Sequence, residues 1–214
     1  MGNAALAGLV LLVIGDSHLA TPNYLIDPLH DQLIEQGAQV HSIGVCGANA
    51  ADWVTTSPGE CGRAERKGNE AAIKIHEGAT TTPVATLIEQ SQPDAIIVVI
   101  GDTMGAYNNP TFPRAWAYQQ VSALTQAISK TDVQCYWVGP GWSHHPGRFN
   151  KTNERVTELN EFLGQNVAPC TYIDSTRFSE PGEWRTIDGQ HYTRAGYRQW
   201  GQSIADFIIN HPPK

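Results

Sequence analysis

Hydrophobic residues along this chain fall into two recurring patterns. One is a short apolar segment, nearly unbroken at residues 9–14, 94–100 and 134–139 and interrupted by polar residues at 39–43 and 170–174. Runs of that length, rich in Val, Ile and Leu, predict strands buried on both faces. The other pattern places apolar residues three or four apart. It occurs at 117, 121, 124 and 128 within residues 114–130, and at Val156, Leu159, Phe162 and Leu163 within 150–167. That spacing predicts helices with one buried stripe. Further helices are predicted over 83–90, with Pro83 at the start, over 193–209, and over 22–37, interrupted by Pro28 and closed by Gly37. Strand and helix alternate throughout, so the chain is predicted to fold as an α/β protein with a parallel sheet covered on both faces, a three-layer αβα sandwich. Residues 55–82 lack a periodic apolar pattern and read as an insertion within a single domain spanning 1–214.

Composition narrows the function classes. The 214 residues are 41% hydrophobic and 16% charged, which fits a globular domain rather than a disordered chain. A net charge of −7 gives no electrostatic reason to expect a nucleic acid or an anionic membrane as partner. No apolar run reaches the roughly 20 residues that span a bilayer. Residues 4–14 read as the first strand rather than a signal-peptide core, because no basic region precedes them and no small-residue cleavage site follows. Met1-Gly2-Asn3 reads as the trimmed end of a longer precursor. Four cysteines permit three pairings or four buried thiols. Cys135 and Cys170 occupy matching places near two strand starts, and Cys46 and Cys61 flank the insertion's beginning. Disulfides Cys46–Cys61 and Cys135–Cys170 are therefore expected, and with them a periplasmic or secreted location.

Polar residues gather where the strands end. Gly15-Asp16-Ser17-His18 follows the first strand, Gly44-Val45-Cys46-Gly47-Ala48-Asn49 the second, and Gly101-Asp102-Thr103 the third. Asp188-Gly189-Gln190-His191 precedes the last helix. In open α/β sheets the carboxyl ends of the strands are where ligands bind. A hydroxyl, an imidazole to deprotonate it and a carboxylate to orient that imidazole are the parts of a hydrolytic triad. Glycines beside them leave backbone N–H groups accessible to a developing oxyanion.

These blocks, in this order, resemble those of the SGNH/GDSL hydrolase superfamily. The resemblance implies a flavodoxin-like sheet of five parallel strands in the order 2-1-3-4-5. "GDSH" resembles the block that carries the nucleophile, which places that role on Ser17. "GVCGAN" resembles the block whose glycine donates to the oxyanion, here Gly47 with Gly44 as second choice. "DGQHYTRAGY" resembles the D-x-x-H block and assigns Asp188 and His191 to the triad. The third block departs: the family's Gly-x-Asn is Gly101-Asp102-Thr103, so Thr103 stands where an amide donor belongs. Asn108 and Asn109 are nearby alternatives without a register argument.

The implied activity is that of a serine esterase acting on a small acyl ester, an O-acetyl group on a carbohydrate, with no cofactor and no metal. An O-acetyltransferase would share the triad. Trp142, His144 and Tyr107 are expected as substrate contacts, with His145, Trp53 and Trp184 in loops near the same edge. Asp16 is expected to bond nearby backbone and His18 to form part of a wall. A metal-dependent phosphoesterase, suggested by Asp16-x-His18, lacks a ligand at Gly105 and a G-N-H-[DE] motif. A non-catalytic carbohydrate-binding protein is the third reading, suggested by Thr103.

Overall fold

The computed structural model describes residues 4–213. Met1–Asn3, where a trimmed precursor end was expected, lie outside the described residues. Strands β1 (Val10–Gly15), β2 (Gln39–Val45), β3 (Arg63–Lys67), β4 (Ile73–Ile75), β5 (Ala95–Val99), β6 (Gln134–Val138) and β7 (Thr171–Ile173) form one sheet in the order β4-β3-β2-β1-β5-β6-β7. Helices α1 (Ile26–Glu35), α2 (Val84–Ser91), α3 (Arg114–Ser129), α4 (Asn153–Asn166) and α5 (Arg194–Asn210) cover its two faces.

The five strands expected from sequence are β2, β1, β5, β6 and β7. They pair in parallel and in the predicted order. The sheet nevertheless has seven strands. Within the presumed insertion, β3 pairs antiparallel with β2, and β4 with β3. The sequence "RAERK" shows no apolar alternation because β3 continues the sheet beyond the sandwiched core, where polar side chains face solvent and one another. Arg63 and Arg66 bond Glu65, Asp27 and Asp31 there.

Each central strand is buried on both sides, and its residues alternate between two cores. Leu12 and Ile14 of β1 join Val98 of β5, Trp137 of β6 and the apolar stripes of α2, α3 and α4. Leu11 and Val13 join Val99, Val138 and the stripes of α1 and α5. Pro28 does not interrupt α1. It lies in the helix's first turn, where a missing N–H leaves no intrahelical bond unmade. Disulfides join Cys46 to Cys61 and Cys135 to Cys170. The first ties the turn after β2 to the β3 hairpin; the second links the starts of β6 and β7. Alkylation of the denatured, unreduced protein is expected to add no mass, and alkylation after reduction to label four thiols. Thiols labelled before reduction would contradict the cross-links.

Candidate active site

The carboxyl ends of β1, β2 and β5 open into a cleft of about 590 Å³. Its geometry begins with close backbone contacts. A Cβ on Gly15 would lie 2.5 Å from Val99 O, so only glycine lets the end of β1 pass this close to β5. The chain then turns sharply. Asp16 Oδ1 accepts the His18 N–H at 3.0 Å, and Leu19 N donates to Asp16 O at 3.1 Å. This side-chain-closed turn presents Ser17 to the cleft. Burial pushes the Asp16 carboxyl above its ordinary range, against the opposing pull of His18.

Ser17 donates its hydroxyl proton to His191 Nε2 at 2.8 Å, and His191 Nδ1–H donates to Asp188 Oδ2 at 2.9 Å. An ionised carboxylate can accept hydrogen bonds but not donate them, so Asp188 fixes the proton on His191 Nδ1. The three-residue spacing works because Asp188 closes its own turn. Its Oδ1 accepts the backbone N–H groups of Gln190 at 3.1 Å and His191 at 2.9 Å. Gly189 sits at φ +93°, and a Cβ there would meet Pro146 O at 2.4 Å. Thr193 then caps α5.

Burial raises the Asp188 carboxyl, but the hydrogen bonds from His191 and Gln190 outweigh it and hold the group below the usual carboxylate range. The His191 imidazole is held below its ordinary value of 6.5 by burial first and by the neighbouring His18 second, against the opposing charge of Asp188. The two rings lie 5.2 Å apart.

Two backbone donors face the cleft beside Ser17. Neither the Ser17 nor the Gly47 N–H is donated to another group among the described residues. Gly47 has φ +80°, and a Cβ would strike the Glu60 side chain. Gly44 has a different task. It lies within β2, where a Cβ would stand 2.2 Å from the Leu19 backbone, so it lets the strand pack under the Ser17 turn. Thr103 lines the cleft, but its single proton goes to Ala48 O at 3.1 Å. The expected oxyanion donor is thus engaged with the backbone of the Gly47 turn.

The expected substrate contacts divide. Tyr107 lines the cleft, its hydroxyl bonded to Asp102. Trp142 does not. It borders a separate groove with Tyr172 and Phe178, and its indole N–H is shared by Thr176 O and Ser179 O at 3.0 and 2.9 Å. The loop after β6 carries it outward toward the sheet's far edge. His144 and His145 are exposed, packed edge-on against each other outside the cleft. Trp53 and Trp184 are buried core residues.

Several residues around the cleft carried no sequence signal. Tyr24 and Phe149 flank the His191 ring at 5.8 and 5.6 Å, and Arg148 reaches Asp188 Oδ2 at 3.4 Å. Beneath the cleft lies a buried charge cluster. Asp102 Oδ2 accepts from His18 Nε2–H and from Lys151 Nζ, each at 2.8 Å, while Tyr197 bonds His18 Nδ1 at 2.9 Å. Lys151 is only 1% exposed. Burial alone would raise the Asp102 carboxyl, but Lys151 and His18 hold it well below the usual carboxylate range. Both His18 ring nitrogens are thereby occupied, which removes the imidazole that the metal-phosphoesterase reading required.

A parallel β2-β1-β5-β6-β7 sheet with Ser17, His191 and Asp188 meeting at its carboxyl edge is the arrangement that the SGNH/GDSL resemblance implies. Solved structures share the fold along nearly the whole chain. A carbohydrate esterase of family 3 from Talaromyces cellulolyticus is 12% identical with a TM-score of 0.61, covering 95% of this chain and 97% of the other. An acetylxylan esterase from Geobacillus stearothermophilus is 13% identical with a TM-score of 0.57, covering 94% of each. A GDSL-like lipase from Bacteroides thetaiotaomicron is 10% identical with a TM-score of 0.58, covering 98% and 94%. No protein-family model matches the sequence. Protein BcsX of Komagataeibacter xylinus is 45% identical over 210 residues, which are 97% of this chain and 79% of that protein. At that level of identity and coverage the chain belongs to the same family as BcsX.

Proposed function

We propose that this protein is a serine esterase that removes a small acyl group, acetyl in the first instance, from a carbohydrate. The observation that carries the reading is the continuous hydrogen-bonded line from Ser17 through His191 to Asp188 at the cleft floor. His191 Nε2 takes the Ser17 proton as Oγ bonds the ester carbonyl carbon, and the carbonyl electron pair moves onto oxygen. The free N–H groups of Ser17 and Gly47 receive that oxyanion. Collapse breaks the bond to the alcohol, which leaves with the proton from His191. Water then repeats the sequence on the acyl-enzyme, His191 taking its proton and returning it to Ser17.

Support for a short acyl group comes from the polar lining: Asp102, Thr103, Tyr107 and Asn108 offer no apolar tunnel for a long chain. Tyr24 and Phe149 beside His191 offer flat faces on the side where the leaving alcohol takes its proton, which suits a sugar ring. Acetyl-carbohydrate esterases among the proteins of similar fold agree with this substrate class. Two disulfides agree with a periplasmic or secreted site of action. The test is acetate release from a panel of acetylated glycans and small acetyl esters. Release abolished by Ser17→Ala supports the reading, and no release from any of them defeats it.

The same geometry fixes a pH dependence. His191 must be neutral to accept the Ser17 proton, and burial with the nearby His18 lowers its pKa. Activity is therefore lost on the acid side as the imidazole gains a proton. The midpoint of the acid limb of kcat/KM, which reports the free enzyme, is expected below 6.5. A limb centred above 6.5 would contradict the burial of His191.

A further inference from the structure

The Gly47 turn brings a second candidate to the oxyanion. Asn49 lines the same cleft as Ser17, Gly47 and Thr103. Its backbone is fixed on both sides: the Asn49 N–H donates to Asp52 Oδ2 at 2.7 Å, and the preceding carbonyl, Ala48 O, accepts from Thr103. Its amide oxygen is sealed from solvent. The amide NH2 donates to no group among the described residues, and it is not itself sealed. The side chain thus buries its acceptor and keeps an unpaired donor in a residue that lines the cleft.

We propose that Asn49 supplies the side-chain donor of the oxyanion hole in place of Thr103, an assignment that rests on the serine-esterase reading above. The chemistry demands such a donor to sit beside the backbone N–H of Gly47 and to have hydrogens uncommitted elsewhere. Thr103 fails the second condition, since its one proton is held by Ala48. Asn108 fails the first: it is exposed at the rim, in the loop after β5, with its side chain tied to Asn150 at 2.7 Å. Asn49 meets both. Thr103 then acts as a positioning residue, holding the Ala48 carbonyl so that Gly47 and Asn49 present their donors together.

The experiment measures kcat and KM on a small acetyl ester and affinity for a boronic acid that forms a tetrahedral adduct on Ser17. Asn49→Ala and the near-isosteric Asn49→Asp are expected to lower kcat and kcat/KM together by about 10²–10³-fold, with KM little changed. The boronate should weaken in parallel, because both readouts follow the tetrahedral state. Adding Thr103→Asn to Asn49→Ala is expected to recover at least part of that loss by carrying an amide in from the other side of the hole. Wild-type thermal unfolding of the variants confirms that they fold. If both Asn49 variants fold and keep kcat and boronate affinity within about threefold of wild type, the assignment is overturned while the triad stands. If the wild-type protein neither hydrolyses the ester nor binds boronate at Ser17, the esterase reading falls and this assignment with it.

Discussion

Ser17→Ala is expected to reduce kcat on a small acetyl ester by roughly 10⁶-fold, the scale seen when the nucleophile of a comparable triad is removed. The argument is chemical rather than statistical. Among the described residues His191 Nε2 is hydrogen-bonded to the Ser17 hydroxyl alone. Thr103 is turned to Ala48 and Tyr107 to Asp102. What remains after the substitution is the oxyanion hole and binding, which are worth about 10³–10⁴-fold over water. His191→Ala should fall to a similar level, and combining the two should cost little more, because the pair acts as a unit. Steady-state kinetics with active-site titration of the wild type measures this. A Ser17→Ala enzyme retaining more than about 1% of wild-type turnover would place the nucleophile elsewhere.

The readability of this chain differed sharply between its parts. Strands β1, β5 and β6 announced themselves because each is buried on both faces, which demands an unbroken apolar run. The strand order 2-1-3-4-5 came with the family blocks rather than from any periodicity. The edge hairpin β3–β4 was invisible for the opposite reason: Arg63 pairs with Glu65 and Arg66 with Asp27 near solvent, and no apolar face was required of them. Ser17, Asp188 and His191 were legible because each sits on a turn with its own local grammar, a glycine and an Asp bonding the backbone two or three residues on. Trp142 and His144 misled because loop length decides whether a residue after β6 reaches the cleft, and no pattern encodes that. Lys151 carried no signal, and Asn49 stood out only as the end of the block after the second strand. A lysine beside a helix cap reads as solvated surface, and an asparagine just past a glycine turn reads as part of that turn.

Lys151 is where the second large effect is expected. Its ammonium is buried against Asp102, and Asp102 also receives His18 and Tyr107. The cluster joins three segments around the cleft: the Ser17 turn through His18, the end of β5 through Asp102, and the loop carrying Arg148 and Phe149 through Lys151. Removing one charge leaves the other desolvated without its partner, a loss of about 3–5 kcal/mol. For a chain of this length that corresponds to a fall in Tm of roughly 6–20 °C. Asp102→Ala should be worse than Lys151→Met, since it strands both the ammonium and the His18 N–H, whereas the loss of Lys151 leaves Asp102 still bonded to His18. The double variant Asp102→Asn/Lys151→Met should regain much of the stability of wild type, because no unpaired charge remains and Asn still bonds His18. That non-additivity separates a charge-pairing cost from a simple packing loss, which would accumulate. Thermal unfolding of the wild type, Asp102→Asn, Lys151→Met and their double variant decides it. Single variants within about 1 kcal/mol of wild type, or a double variant less stable than either single, would show that the buried pair does not hold the cleft's three segments together.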